Sequence, residues 1–169
     1  RVQDSDPLQL AQEVSVEYLI REAIDQCQIT ADSRNITVSY LENSDAVVLG
    51  DRDQLIMAVH NLIENAINYS PENTKVSVTT TSESGIIDIS VTDQGIGISE
   101  SEQDRIFERF YRVDPARSRQ TGGTGLGLSI VKHVAAKHGG EVKVWSVENV
   151  GSTFSIRLPI YESPMEIVE

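Results

Sequence analysis

Apolar positions recur along this chain with two distinct periods. In SVEYLIREAIDQC, Val16, Leu19, Ile20, Ala23, Ile24 and Cys27 fall three and four residues apart, with Ser15 ahead of them as a cap. That spacing predicts an amphipathic helix. A longer helix is predicted through DRDQLIMAVHNLIENAINYS. Its stripe is Leu55, Val59, Leu62, Ile63, Ala66 and Ile67, Asp51 can cap it, and Pro71 stops it. A third is predicted over LGLSIVKHVAAKHGG, closed by Gly139 and Gly140. Elsewhere the period is two. ITVSYL and AVVLG read as short strands around ENSD, and KVSVTTT and IIDISVTD as an antiparallel pair around SESG. In the latter, Ile87, Ile89 and Val91 alternate with Asp88, Ser90 and Thr92, so one face is buried. EVKVWSV and STFSIRLPI predict a last hairpin across ENVG, and EQDRIFERF a short helical piece.

Residues 1–14 read as a polar lead-in, 15–160 as one domain and 161–169 as a tail. The element order predicts an α/β (α+β) two-layer sandwich: a mixed, mostly antiparallel sheet covered on one face by about three helices. It is not the alternating order of a doubly wound nucleotide fold.

Composition narrows the chemistry. Apolar residues make up 39% and charged residues 24%, ordinary for a globular domain of 169 residues. No apolar run is long enough to span a bilayer, and the opening RVQDSDPLQL has no signal-peptide pattern. Cys27 is the single cysteine, which excludes an internal disulfide and fits a reducing compartment; its place in the first stripe predicts a buried thiol. The net charge of −12 argues against a general affinity for nucleic acid or anionic lipid. An acidic chain that binds a polyphosphate must compensate locally, with a metal ion, focused Arg or Lys, or backbone N–H groups.

All three compensating devices have candidates. DQGIGIS ends a predicted strand, and GGTGLGLS opens a predicted helix, where free N–H groups favour an anion by roughly 0.3–2 kcal/mol. Neither cluster fits a standard loop. There is no GxxxxGK, and a GxGxxG would need glycine where Glu100 and Leu128 stand. Taken singly, each is equally readable as a turn. Between them Arg109, Arg112, Arg117 and Arg119 lie close together, readable as a solvated loop or as a mobile phosphate clamp. On the second helix Asn61, Asn65 and Asn68 share a face beside Glu64. They are either an exposed polar face or amide oxygens for Mg²⁺ and its waters.

These stretches resemble the boxes of bacterial sensor histidine kinases. HNLIENAINYS is similar to the N box, DQGIGIS to the G1 box, IFERFYR to the F box and GGTGLGLSIVK to the G2 box. Four boxes in order, over roughly Ser15 to Ile160, make the resemblance specific to the superfamily that also holds gyrase, the Hsp90 chaperones and MutL. The lid and G2 wording is similar to actinobacterial kinases near the phosphate-sensing group. The resemblance implies a Bergerat-type ATP-binding fold with ATP and Mg²⁺ as cofactors. Asp93 would accept a hydrogen bond from the adenine amino group, beside Gly95, Gly97 and Ile98. Asn65 would ligate Mg²⁺, with Asn61 near the phosphates and Tyr69 along the nucleotide. Phe107 and Phe110 would anchor the lid, and Arg109 or Arg112 would reach phosphate. Gly123, Thr124, Gly125, Leu126, Gly127 and Leu128 would form the phosphate-facing hinge, and Thr153 would touch the adenine side.

Two departures from the family pattern matter. Asn68 stands where many members carry a basic residue. None of His60, His133 or His138 has the phosphoacceptor context, a Ser-His-Glu run leading to Thr-Pro; all three read as structural or surface residues, with His60 toward the helix interior or Glu64. The resemblance thus implies a catalytic domain cut from a longer kinase, with residues 1–14 leading from its dimerisation hairpin. The implied partners are that phosphoacceptor hairpin and a cognate response regulator, not nucleic acid, and the isolated domain is expected to be monomeric. The domain would be cytoplasmic and its parent membrane-anchored. Two alternatives stay open: a gyrase- or Hsp90-type hydrolase, and a nucleotide-sensing module without chemistry. Hydrolase relatives carry a glutamate where this chain has Asn61, and an amide is no general base.

Overall fold

The computed structural model describes residues 11–41, 44–103, 105–108 and 127–162. In chain order the elements are β1 (Gln12–Ser15), α1 (Val16–Ser33), β2 (Thr37–Ser39), β3 (Val47–Gly50), α2 (Arg52–Asn68), β4 (Lys75–Glu83), β5 (Ile86–Thr92), α3 (Gly127–Lys137), β6 (Glu141–Val147) and β7 (Gly151–Pro159). Five strands form one sheet in the order β2-β4-β5-β7-β6. Among the described strands of this sheet β2 and β4 run parallel, and the other neighbours pair antiparallel.

The sheet is two-faced, as the alternation in β5 requires. Val76, Val78, Ile87, Ile89, Val91, Phe154, Ile156 and Leu158 are buried on one face. The other face carries polar cross-strand pairs: Ser90 with Ser155 (2.7 Å), Thr92 with Thr153 (2.9 Å), and Arg157 donating to Asp88 (2.8 Å). The helices cover the apolar face. α2 packs between α1 and α3, and every residue of its predicted stripe is buried.

The helix ends follow local chemistry. Ser15 accepts the Tyr18 N–H at 3.2 Å and starts α1, while Asp51 accepts the Gln54 N–H at 3.1 Å and starts α2. α3 ends at Gly139, in the left-handed region at φ 78°, with the Gly140 N–H donating to the Ala135 carbonyl. The buried His138 bolts this end to α2. Its Nδ1 lies 2.8 Å from the Val134 carbonyl, which can only accept, so Nδ1 carries the proton. Nε2 is thereby free to accept the Asp51 N–H at 3.0 Å.

Two local expectations are corrected. The lead-in was placed at residues 1–14, but Gln12–Ser15 is a strand paired antiparallel with Val47–Gly50. It has one buried residue, Val14, so it shows no period on its own and exists through its partner. The helical piece expected at EQDRIFERF is not helical over its described residues 105–108; Asp104, Arg109 and Phe110 lie outside the described residues. A 3₁₀ turn at Glu100–Glu102 stands at the start of that stretch. Its hydrogen bonds, such as Glu102 N–H to Ser99, span three residues, and turns follow as far as Phe107. Phe107 then meets Phe154 edge-on, with ring centres 6.3 Å apart.

Candidate functional site

At the end of β5 the chain turns inward. The Asp93 N–H continues the pairing by donating to the Ser152 carbonyl at 2.8 Å, and its side chain is only 7% exposed. Oδ1 accepts two backbone N–H groups, from Gly95 at 2.8 Å and Ser152 at 3.1 Å. Among the described residues both recorded bonds fall on this one oxygen, so Oδ2 is the acceptor that a ligand can use. Burial pushes the carboxyl above its ordinary value, and the two N–H groups pull it part of the way back.

The loop that follows must be glycine at two places. A Cβ on Gly95 would overlap the Tyr69 carbonyl oxygen, so the loop lies flat on the C-terminal end of α2. Gly97 has φ 72° and its backbone is pressed against the Val147 carbonyl. Ile98 is buried, and its N–H donates to Ser146 Oγ at 2.8 Å.

Asn61, Asn65 and Asn68 are half-buried along one face of α2, as their spacing requires. Asn61 stands beside the start of α3: a Cβ on Gly127 would lie 3.8 Å from its Cγ. Leu128 packs on the core. Helix α2 therefore joins two regions. Its C-cap Tyr69 lies against the Gly95 loop, and about 12 Å back along the helix Asn61 stands beside the first turn of α3. Among the described residues no three His, Cys, Asp or Glu side chains cluster as a metal site. Amide oxygens such as those of Asn61 and Asn65 are donors of the kind a hard cation accepts when phosphate and water supply its other ligands.

Glu64 is occupied elsewhere. Its Oε1 lies 3.0 Å from His60 Nε2, and His60 Nδ1 lies 3.4 Å from Cys27 Sγ. Cys27 is buried, as its place in the first stripe predicts, and burial pushes its thiol up to about 12. It is no nucleophile at neutral pH.

Thr153 requires a correction. Its hydroxyl pairs with Thr92 on the polar outer face of the sheet, away from Asp93. Asp93 is reached instead by the backbone N–H of the neighbouring Ser152. Arg109, Phe110, Arg112, Gly123, Thr124, Gly125 and Leu126 lie outside the described residues. Ser146 and Ser152 were missed in the sequence, although a signal existed. In EVKVWSV the alternation puts Ser146 on the same face as Val142 and Val144, a hydroxyl where a core residue is expected.

Comparison with known proteins gives the family and the fold. The family described as histidine kinase-, DNA gyrase B- and HSP90-like ATPase matches residues 50–162. The chain belongs to that ATPase family. A sensor-like histidine kinase of Mycolicibacterium smegmatis, SenX3, is 46% identical over 97% of this chain and 43% of its own length. The chain thus spans less than half of that relative. Among solved structures, the mycobacterial sensor histidine kinase MprB matches with a TM-score of 0.75 at 31% identity, over 88% of this chain and 97% of its own. ShkA, solved in complex with AMPPNP, matches with a TM-score of 0.76 at 27% identity, over 92% of this chain and 32% of its own. The two-layer sandwich seen here is therefore the fold of this ATPase family as histidine kinases carry it. No described helix is long and apolar enough to cross a membrane.

Proposed function

We propose that this chain is the ATP-binding catalytic domain of a sensor histidine kinase, and that it donates the γ-phosphate of Mg·ATP to a histidine on a separate dimerisation hairpin. The observation that carries this reading is the reach of α2 from the Asp93–Gly95 loop at one end to the start of α3 at the other. Asp93 Oδ2 accepts the adenine amino group, while Oδ1 stays committed to the Gly95 and Ser152 N–H groups. Ile98 covers the base. Asn65 and Asn61 hold Mg²⁺ or its waters, and the first turn of α3, with Gly127 beside Asn61, faces the phosphates. When bound, the cation would supply neutralisation of phosphate charge, and the chain's own part is positioning. The bound AMPPNP of ShkA supports the choice of nucleotide.

Hydrolysis is the weaker reading. Asn61 cannot take a proton from water, and Glu64, the nearest carboxylate on the helix, is tied to His60. The parent protein is proposed to be membrane-anchored, with this domain cytoplasmic and a response regulator receiving the phosphoryl group. The test mixes the chain with Mg²⁺, γ-labelled ATP and the parent's phosphoacceptor hairpin. Acid-labile, base-stable label on the hairpin is expected, with none on this chain. Release of inorganic phosphate without labelling of the hairpin refutes the proposal.

A further inference from the structure

Behind the Asp93 loop lies a hydroxyl whose bonding is fully accounted for. Ser146 Oγ accepts the Ile98 N–H at 2.8 Å, and it lies 3.1 Å from the Gly151 carbonyl and 2.8 Å from Ser152 Oγ. A serine hydroxyl has one hydrogen and two acceptor sites. The Gly151 carbonyl can only accept, so the Ser146 hydrogen goes there. Ser152 must then donate its own hydrogen to Ser146. All three positions on Ser146 are used, and Ser152, with its hydrogen committed, is left as an acceptor beside Asp93. Gln103 locks the same joint from outside, its Nε2 donating to the Ile98 carbonyl at 3.0 Å.

We infer that Ser146 is a positioning residue for base recognition: without touching the nucleotide, it holds both walls of the Asp93 pocket in register. One wall is the loop that ends at Ile98, and the other is the Gly151–Ser152 turn whose N–H binds Asp93. Among the described residues Ser146 bonds to both walls from behind, as Asp93 does from within the pocket. It also sets the polarity of Ser152, whose hydroxyl hydrogen is committed to Ser146. This rests on the adenine reading proposed above and adds the residue that keeps that pocket in shape.

The inference separates base from phosphate. Ser146→Ala leaves the Ile98 N–H and the Gly151 carbonyl without their partner. It is expected to weaken AMP and AMP-PNP alike, by about tenfold each, with the effect of Mg²⁺ unchanged. Ser146→Thr keeps the oxygen on a side chain that suits a strand, and is expected to restore wild-type affinity. The probes are AMP and AMP-PNP in calorimetry on the 169-residue chain, together with hydrogen exchange at the Ile98 amide. That amide should lose protection in the alanine variant and regain it in the threonine variant. If Ser146→Ala does not fold, Ser146→Cys carries the test, because sulfur is a weak acceptor and should give the same pattern at smaller size. A variant that melts earlier yet binds AMP as the wild type does overturns the inference and leaves the adenine reading intact. A wild-type chain that binds neither nucleotide overturns both.

Discussion

Asp93 and Asn65 serve the two ends of the proposed nucleotide site and are held in different ways. Asp93 is buried at a strand end, with one carboxylate oxygen bound to two backbone N–H groups and glycine backbone pressed on either side. Asn65 is half-buried on a helix face, and the rigid part there is the helix rather than the side chain. The first region is preorganised by main chain, so damage to it disturbs both fold and ligand. The second leaves its amides adjustable, which suits a hydrated cation whose other ligands arrive with the phosphates. A change at the base end should therefore be felt in stability and in every adenine nucleotide. A change at the amide end should be felt only when metal and phosphate are present together.

The sharpest way to break that contrast is Asp93→Asn. An amide oxygen can still accept the Gly95 and Ser152 N–H groups, but it turns an NH₂ toward the ligand. Loss of a charge-assisted hydrogen bond amounts to about 1.5–3 kcal/mol, so affinity for ATP should fall by at least tenfold with and without Mg²⁺. Unchanged affinity in calorimetry would remove Asp93 from the base pocket. Next comes Gly95→Ala, whose methyl meets the Tyr69 carbonyl. Backbone cannot move aside cheaply, and a loss of about 1–3 kcal/mol in denaturant unfolding is expected, with weaker ATP binding. A variant of wild-type stability would contradict the packing of this loop on α2.

Asn65→Ala should behave in the opposite way: full stability, about tenfold weaker Mg·ATP, and unaltered binding in EDTA. Equal losses in both conditions would refute the metal role. The smallest effect concerns acid. A carboxyl whose native value lies above its unfolded value binds more protons when folded. Stability from Asp93 should therefore fall as pH rises through the interval between those two values, and level off above it. Melting curves from pH 3 to 7 should show this component in the wild type and not in Asp93→Asn, and each unit of pKa difference is worth about 1.4 kcal/mol. The same slope in both proteins would mean that Asp93 is not the group responsible.

The fold was largely legible because long periodic segments decide it. The stripe of α2, its Asp51 cap and the alternation of β5 each pointed to one local answer, and tertiary packing agreed with all of them. β1 was not legible, since one buried valine makes no period and its partner is more than thirty residues away. At the site, glycine is demanded by the backbone at two of the positions named. The structure places Gly95 and Gly97 where a side chain cannot fit. Thr153 lies on the outer face of the sheet, where its hydroxyl meets Thr92. Ser146 was signalled only by a hydroxyl on the core-facing side of β6; that the Ile98 N–H, far off in sequence, converges there with Gly151 and Ser152 of the same hairpin is a tertiary fact.

Calorimetric titration of AMP, ADP and ATP into the wild-type chain, with Mg²⁺ or with EDTA, tests most directly whether one cleft holds both ends of the nucleotide. Every nucleotide should bind, with affinity rising with phosphate number in Mg²⁺ and far less in EDTA. AMP failing to bind while inorganic triphosphate binds as well as ATP would contradict the account, because the Asp93 pocket would then contribute nothing.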